Sequence, residues 1–186
     1  MEIFDHIKKR RSVYPHQFSN EKIDDAAIQK LLETANWAPT HKKTEPWRFK
    51  ILTGNSKREA GSFFKDNYLK NTENPKKFKA KKISAKFEQS SHVIAVCMQR
   101  DPKESLPEWE EVAATSMAIQ NMWLASKSLG IGMYWSSPGF KDKLADFLPL
   151  GEGEKCLGFL YLGQFNEELE DMERQSSIDE KTHWYR

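Results

Sequence analysis

The chain has 186 residues, 38% hydrophobic and 30% charged, with 29 lysines and arginines against 27 aspartates and glutamates. That length suits one domain spanning 1–186, and the apolar share suffices for a core, which excludes wholesale disorder. A net charge of +2 argues against a surface that grips nucleic acid, and no apolar run approaches the roughly 20 residues of a membrane span. The start, Met1 to Asp5, lacks a basic-then-apolar signal pattern. Cys97 and Cys156 sit in apolar runs without a CxxC pair. The expected setting is therefore the reducing cytoplasm, not a disulfide scaffold.

Residues 2–10 place Ile3, Phe4 and Ile7 at helical spacing before the basic run Lys8 to Arg11. Asp24 or Asp25 can cap a second helix carrying Ile28, Leu31, Leu32 and Ala35, which Pro39 stops. A loop, Thr40 to Pro46, leads into an alternating strand, 47–52. Residues 56–69 predict a helix. The next stretch, 70–86, holds seven lysines, one acidic residue (Glu73) and Pro75, and reads as an exposed loop or partial helix. The continuous apolar run 93–98 predicts a strand buried on both faces.

The helix predicted over 108–129 is the most informative element. From Val112 to Ala125 it carries no charge on any face, so it should be buried all round. One small domain can hardly surround such a helix. A second copy in a two-fold dimer is the simplest cover, with a central core helix in a monomer as the other reading. Strands follow at 130–139 and 156–163, separated by a short helix. The tail from Gln164 is acidic yet ends in His183-Trp184-Tyr185, so it should dock rather than float.

Several chemistries lack their residues. There is no phosphate-binding P-loop, no completed G-x-G-x-x-G and no G-x-S-x-G elbow. The five histidines have no metal-ligand spacing with each other or with cysteine, so no metal is expected. What remains is basic and hydroxyl-bearing. Arg10, Arg11 and Ser12 offer two forked guanidinium groups and a hydroxyl, suited to a phosphate-like anion. Taken alone, the same arginines read as solvated charges at a helix C-terminus. His41 flanked by lysines, and Tyr134-Trp135-Ser136-Ser137 at a strand end, are each weak signals singly.

Their order changes the reading. Arg10-Arg11-Ser12-Val13, then Ala38-Pro39-Thr40-His41 before Pro46-Trp47, then the uncharged helix, then Gly130-Ile131-Gly132 into Trp135-Ser136-Ser137, then Gly158-Phe159-Leu160-Tyr161-Leu162-Gly163, then Arg174 and His183-Trp184. From end to end this resembles the nitroreductase family of FMN-dependent NAD(P)H oxidoreductases, closest to its short members. The resemblance implies an α+β fold: a mixed, mostly antiparallel sheet sandwiched by helices, in an intertwined homodimer with an exchanged C-terminal arm. It implies FMN as bound cofactor, NAD(P)H as co-substrate, and a nitroaromatic, quinone or similar electron-poor acceptor reduced by ping-pong turnover. The flavin carries the chemistry, so no catalytic side chain is expected.

By the same resemblance, Arg10, Arg11 and Ser12 would hold the FMN phosphate and ribityl chain, with Arg174 as a second phosphate ligand. His41 and the Thr40 backbone would border the flavin ring, with the partner copy as one possible source. Trp135, Ser136 and Ser137 would lie along it. Three positions depart from the family pattern: Tyr14 and Glu45 where a basic residue and a glutamine are usual, and Trp37 where some short members direct an arginine at the cofactor. These departures keep a flavin-binding or flavin-sensing dimer without efficient turnover as the alternative. Residues 70–86 read chiefly as a solvated segment, with a lid that attracts nucleotide phosphates as the second reading.

Overall fold

A computed structural model describes residues 3–186. Met1 and Glu2 lie outside the described residues; the leader reading includes both, and the predicted first helix, 2–10, includes Glu2. The helices are α1 (Ile3–Lys9), α2 (Asp25–Ala35), α3 (Gly54–Asn71), α4 (Lys77–Gln89) and α5 (Glu108–Ser126). The strands are β1 (Trp47–Leu52), β2 (His92–Gln99), β3 (Ile131–Ser136) and β4 (Glu154–Gln164). They form one sheet in the order β1-β2-β4-β3. Every pairing within the chain is antiparallel.

Strand alternation sorts the core into two layers. Ile94 and Val96 of β2, with Leu160 and Leu162 of β4, face α2 and α5. Val93, Ala95 and Cys97, with Phe159 and Tyr161, face the opposite side, where Phe64 of α3 and Phe87 of α4 pack against them. The expected helix–sheet–helix sandwich is therefore present. Central β2 is buried on both faces, as its unbroken apolar run predicts. No helix among the described residues is long and apolar enough to cross a membrane.

Three expectations change. Residues 77–89 form a full helix rather than a loop, because Ala80, Ile83 and Phe87 make a helical stripe that docks on α3. Gly61 of α3 admits Phe87, since a Cβ there would lie 2.9 Å from the Phe87 Cβ. Lys57 donates to the Ser90 carbonyl, satisfying backbone at the end of α4. Lys77, Lys79, Lys81 and Lys82 are exposed, while Lys86 turns inward with its Nζ 5.1 Å from the centre of the Tyr134 ring.

The second change concerns α5. It is not buried all round within one chain: Trp109 and Met117 are 68% and 40% exposed, and Gln120 is exposed between half-buried Ser116 and Leu124. Spaced three and four residues apart, these positions make an uncharged stripe that the described residues leave partly exposed. The third is the tail. Trp184 and Tyr185 are 79% and 94% exposed, so the terminal aromatics find no dock on their own chain.

Candidate functional site

The arginine segment is built by the end of α1. Arg11 Nη1 donates to the carbonyls of Lys8 (2.8 Å) and Arg10 (3.1 Å), satisfying acceptors that a terminating helix leaves free. The chain then runs extended, and the Val13 amide donates to the Met133 carbonyl at 3.0 Å, fastening the segment to edge strand β3. Gly132 permits this approach, because a Cβ there would sit 3.0 Å from the Val13 side chain. Arg10, Arg11, Ser12 and Arg174 consequently line one cavity of about 990 Å³, together with Tyr14 and the tail residues Asp171 to Ser177. An adjoining cavity of about 480 Å³ is shared by Arg10, Arg11, Trp123 and Ile131.

The two adjacent arginines differ in what they have left to give. Arg11 spends Nη1 on backbone carbonyls, while Nη2 reaches the Glu170 carbonyl and Asp171 Oδ1, each at 3.5 Å. Arg10 lies with its guanidinium 4.7 Å from the centre of the Trp123 ring. Its Nη1 is buried without a hydrogen-bond partner, as is Nε of Arg11. Burial, Arg174 and Arg11 together press the Arg10 pKa below its ordinary value. Two arginines with buried, unmatched donors, beside Arg174, offer a donor set suited to an anion with multiple acceptor oxygens. A terminal phosphate fits that donor set.

The other expected residues stand elsewhere on the same chain. His41 Nδ1 lies 2.6 Å from Glu110 Oε2, at the first turn of α5. Arg10 rests on Trp123, 13 residues farther along. At 1.5 Å per residue the two ends are about 20 Å apart. The loop carrying His41 is held in an uncommon shape: Lys42, Lys43 and Glu45 all have positive φ. The Glu45 amide donates to Thr40 Oγ1 at 3.2 Å, and Lys42 Nζ donates to the Ser105 carbonyl at 2.8 Å. Trp37, just after α2, is 85% exposed.

Trp135 and Ser136 end β3 and Ser137 follows it; Ser136 lies three residues, or about 10 Å, beyond Met133, the last β3 residue to line the smaller cavity. Within a single chain, then, Arg10, Arg11, Ser12 and Arg174 come together, while Trp37, His41 and the Trp135–Ser137 end do not join them. Gly158 makes room for that strand end. A Cβ there would fall 2.5 Å from the Ser136 carbonyl oxygen and 2.9 Å from Trp135 Nε1, at a φ of +153°. Gly158→Ala should therefore displace Trp135 and Ser136 and destabilise the chain by about 1–3 kcal/mol. Thermal melts with tryptophan fluorescence check this; a variant as stable as the parent would show that the strand end yields freely.

Sequence reading missed two contributors to the cavity wall. Trp123 was legible only as part of an uncharged helix, and Asp171 only as part of an acidic tail. Nothing local to either marks a contact with Arg10 or Arg11. Among the described residues, no group of three His, Cys, Asp or Glu side chains could hold a metal ion.

Comparison with known proteins decides the family. The family described as the nitroreductase family matches residues 7–164. This chain belongs to the nitroreductase family. The match covers Arg10 to Ser12 and stops ten residues short of Arg174, so this nitroreductase-family chain joins Arg174 to the site by its tertiary structure. The Bacillus subtilis protein YfhC, which bears the name NAD(P)H nitroreductase, is 33% identical over 134 residues, 72% of this chain and 68% of that one. A nitroreductase-like family protein from Bacillus cereus superposes with a TM-score of 0.85 at 28% identity, covering 100% of this chain and 96% of that chain. A Bacteroides fragilis nitroreductase crystallised with bound FMN shares the fold, with a TM-score of 0.71 at 22% identity over 100% of both chains.

Proposed function

We propose that this nitroreductase-family chain is an FMN-dependent oxidoreductase that draws hydride from NAD(P)H and delivers it to a nitroaromatic, quinone or similarly electron-poor acceptor. One observation carries the reading: the cavity that gathers Arg10, Arg11, Ser12 and Arg174, with a buried Arg10 donor left unmatched. A dianionic phosphate would satisfy those donors and offset the burial, and the repulsion from Arg174 and Arg11, that lower the Arg10 pKa. The FMN-bound Bacteroides fragilis relative and the NAD(P)H named for the Bacillus subtilis relative support the cofactor and co-substrate.

Flavin, once held, supplies the two-electron chemistry. The protein's own residues bind and orient it. Arg10 and Arg174 are the phosphate ligands, and Ser12 offers its hydroxyl to the ribityl chain. Arg11 acts mainly as a brace, since its guanidinium already ties α1 to the tail at Asp171. NAD(P)H and the acceptor use one open face in turn, which gives ping-pong kinetics without a protein nucleophile. Tyr14 borders the cavity in place of a basic residue and packs against Tyr134 with ring centres 4.6 Å apart and planes tilted by 41°, so that position contributes no fixed positive charge.

The functional unit is a homodimer. A two-fold axis across the uncharged stripe of α5 would run two copies of the helix antiparallel. One chain's His41 end then faces its partner's Arg10 end, which closes the 20 Å gap of the single chain. The exposed apolar side chains of α1 (Ile3, Phe4, Ile7) and of the tail (Trp184, Tyr185) gain cover in the same association.

The deciding experiment is the visible spectrum of the purified protein before and after anaerobic NADH or NADPH. Flavin bands that bleach, and return on adding a quinone or nitroaromatic, are expected. Bands that persist with either nucleotide would favour a flavin-binding or sensing dimer. Absence of flavin even after soaking with FMN would overturn the reading of the arginine cavity.

A further inference from the structure

Trp123 makes two contacts that no motif predicts. Its indole Nε1 donates to the Arg11 backbone carbonyl at 3.0 Å. Its ring face carries the Arg10 guanidinium at 4.7 Å. One rigid, half-buried side chain on α5 thus sets both where the backbone passes at Arg11 and which way Arg10 points. The indole N–H has few alternatives in that position, because a buried aromatic donor needs a partner.

The need for such a restraint follows from the charges. Arg10 sits beside Arg11 and Arg174, and no carboxylate is paired with it among the described residues. Like charges would drive its long side chain toward water. A π-face attracts a guanidinium without neutralising it, so the cation stays available to a ligand. A carboxylate in the same place would hold Arg10 equally well but would consume its donors. Arg11 shows that outcome, tied to Asp171 and to backbone carbonyls.

We propose that Trp123 is the positioning residue of the phosphate clamp: it presents Arg10 to the terminal phosphate and thereby sets this protein's preference for FMN over the unphosphorylated flavin. This rests on the reading of the arginine cavity as the FMN phosphate site. Trp123 itself touches no phosphate and acts through Arg10.

The test compares dissociation constants for FMN and riboflavin, measured by flavin fluorescence on protein stripped of cofactor. Riboflavin lacks the phosphate and reports everything else in the site. Trp123→Leu, which removes ring and N–H, should weaken FMN about tenfold and leave riboflavin within twofold. Trp123→Phe keeps a π-face and should retain most of the preference. In an Arg10→Ala background the tryptophan substitution should no longer matter, because its effect passes through Arg10. Equal weakening of FMN and riboflavin in Trp123→Leu would overturn the proposal, as would unchanged binding of both. Should Trp123→Leu fail to fold, Trp123→Gln, which keeps an N–H for the Arg11 carbonyl but no π-face, decides: weaker FMN with riboflavin unchanged supports the proposal, and equal weakening or unchanged binding of both overturns it. Parent protein that binds FMN and riboflavin equally would overturn the phosphate reading itself.

Discussion

Arg10→Ala is expected to weaken FMN binding about 100-fold, from two charge-assisted hydrogen bonds worth roughly 3 kcal/mol together. Riboflavin binding should hardly change. Arg10 is the informative choice because its guanidinium makes no hydrogen bond to a described residue, whereas Arg11 commits both Nη atoms and leaves only its buried Nε unmatched. Arg11→Ala separates the two arginines. It removes the ties to Lys8, Arg10 and Asp171, and so should lower the melting temperature more than it lowers flavin selectivity. Equilibrium titration of both variants against both flavins checks the assignment. Equal losses of FMN affinity for Arg10→Ala and Arg11→Ala would mean that Arg11 is a ligand and not a brace.

A larger effect on assembly is expected from Met117→Glu. Met117 is 40% exposed on the uncovered stripe of α5, so a carboxylate there is solvated in a free chain and costs the fold little. Across a two-fold axis near the middle of α5, each dimer would instead bury two uncompensated carboxylates. Unpaired buried charges of this kind cost about 3–5 kcal/mol each. The variant should therefore elute as a monomer on sizing with light scattering, with its melting transition retained. It should also carry little flavin although Arg10, Arg11 and Ser12 are untouched, because the His41 side of the site would be missing. A variant that remains dimeric would place the interface elsewhere. A flavin-loaded monomer would show that the arginine side suffices alone.

These two substitutions bear on different halves of one argument. Arg10 tests what a single chain assembles. Met117 tests whether a second copy completes the site. The uncharged run from Val112 to Ala125 pointed to that copy, and the structure makes the point sharper by showing which face is bare. Trp109, Met117 and Gln120 lie on it, while Ala114, Ala118, Ile119 and Met122 are already buried against the sheet and α2.

Much of the fold was legible in the residues themselves. Strands β2 and β4 announce themselves as short unbroken apolar runs, and α2 as an apolar stripe behind the Asp24 cap, whose side chain accepts from the Ala26 amide. Such patterns are local consequences of burial, and one chain segment carries them whole. The ordered motifs from Arg10 to Gly163 were equally sufficient for the nitroreductase family, which matches residues 7–164. Helix α4 was not legible, because seven lysines in 70–86 outweighed a three-residue stripe that gains its meaning only when Gly61 of α3 admits Phe87.

The site divides along the same line. That Arg10, Arg11 and Ser12 offer donors suited to an anion follows from residue type and adjacency, and the order of motifs along the chain turned that offer into an expected site. Which arginine keeps a donor free does not follow from these, since it depends on where the tail puts Asp171 and where α5 puts Trp123, 160 and 112 residues away from Arg11. Sequence determined the chemistry on offer: guanidinium groups, hydroxyls and an uncharged helix. Tertiary structure alone decided the rest, because hydrogen-bond capacity is spent on neighbours in space. It joined Arg174 to the cluster, left Arg10 unpaired, and set His41 at the far end of α5.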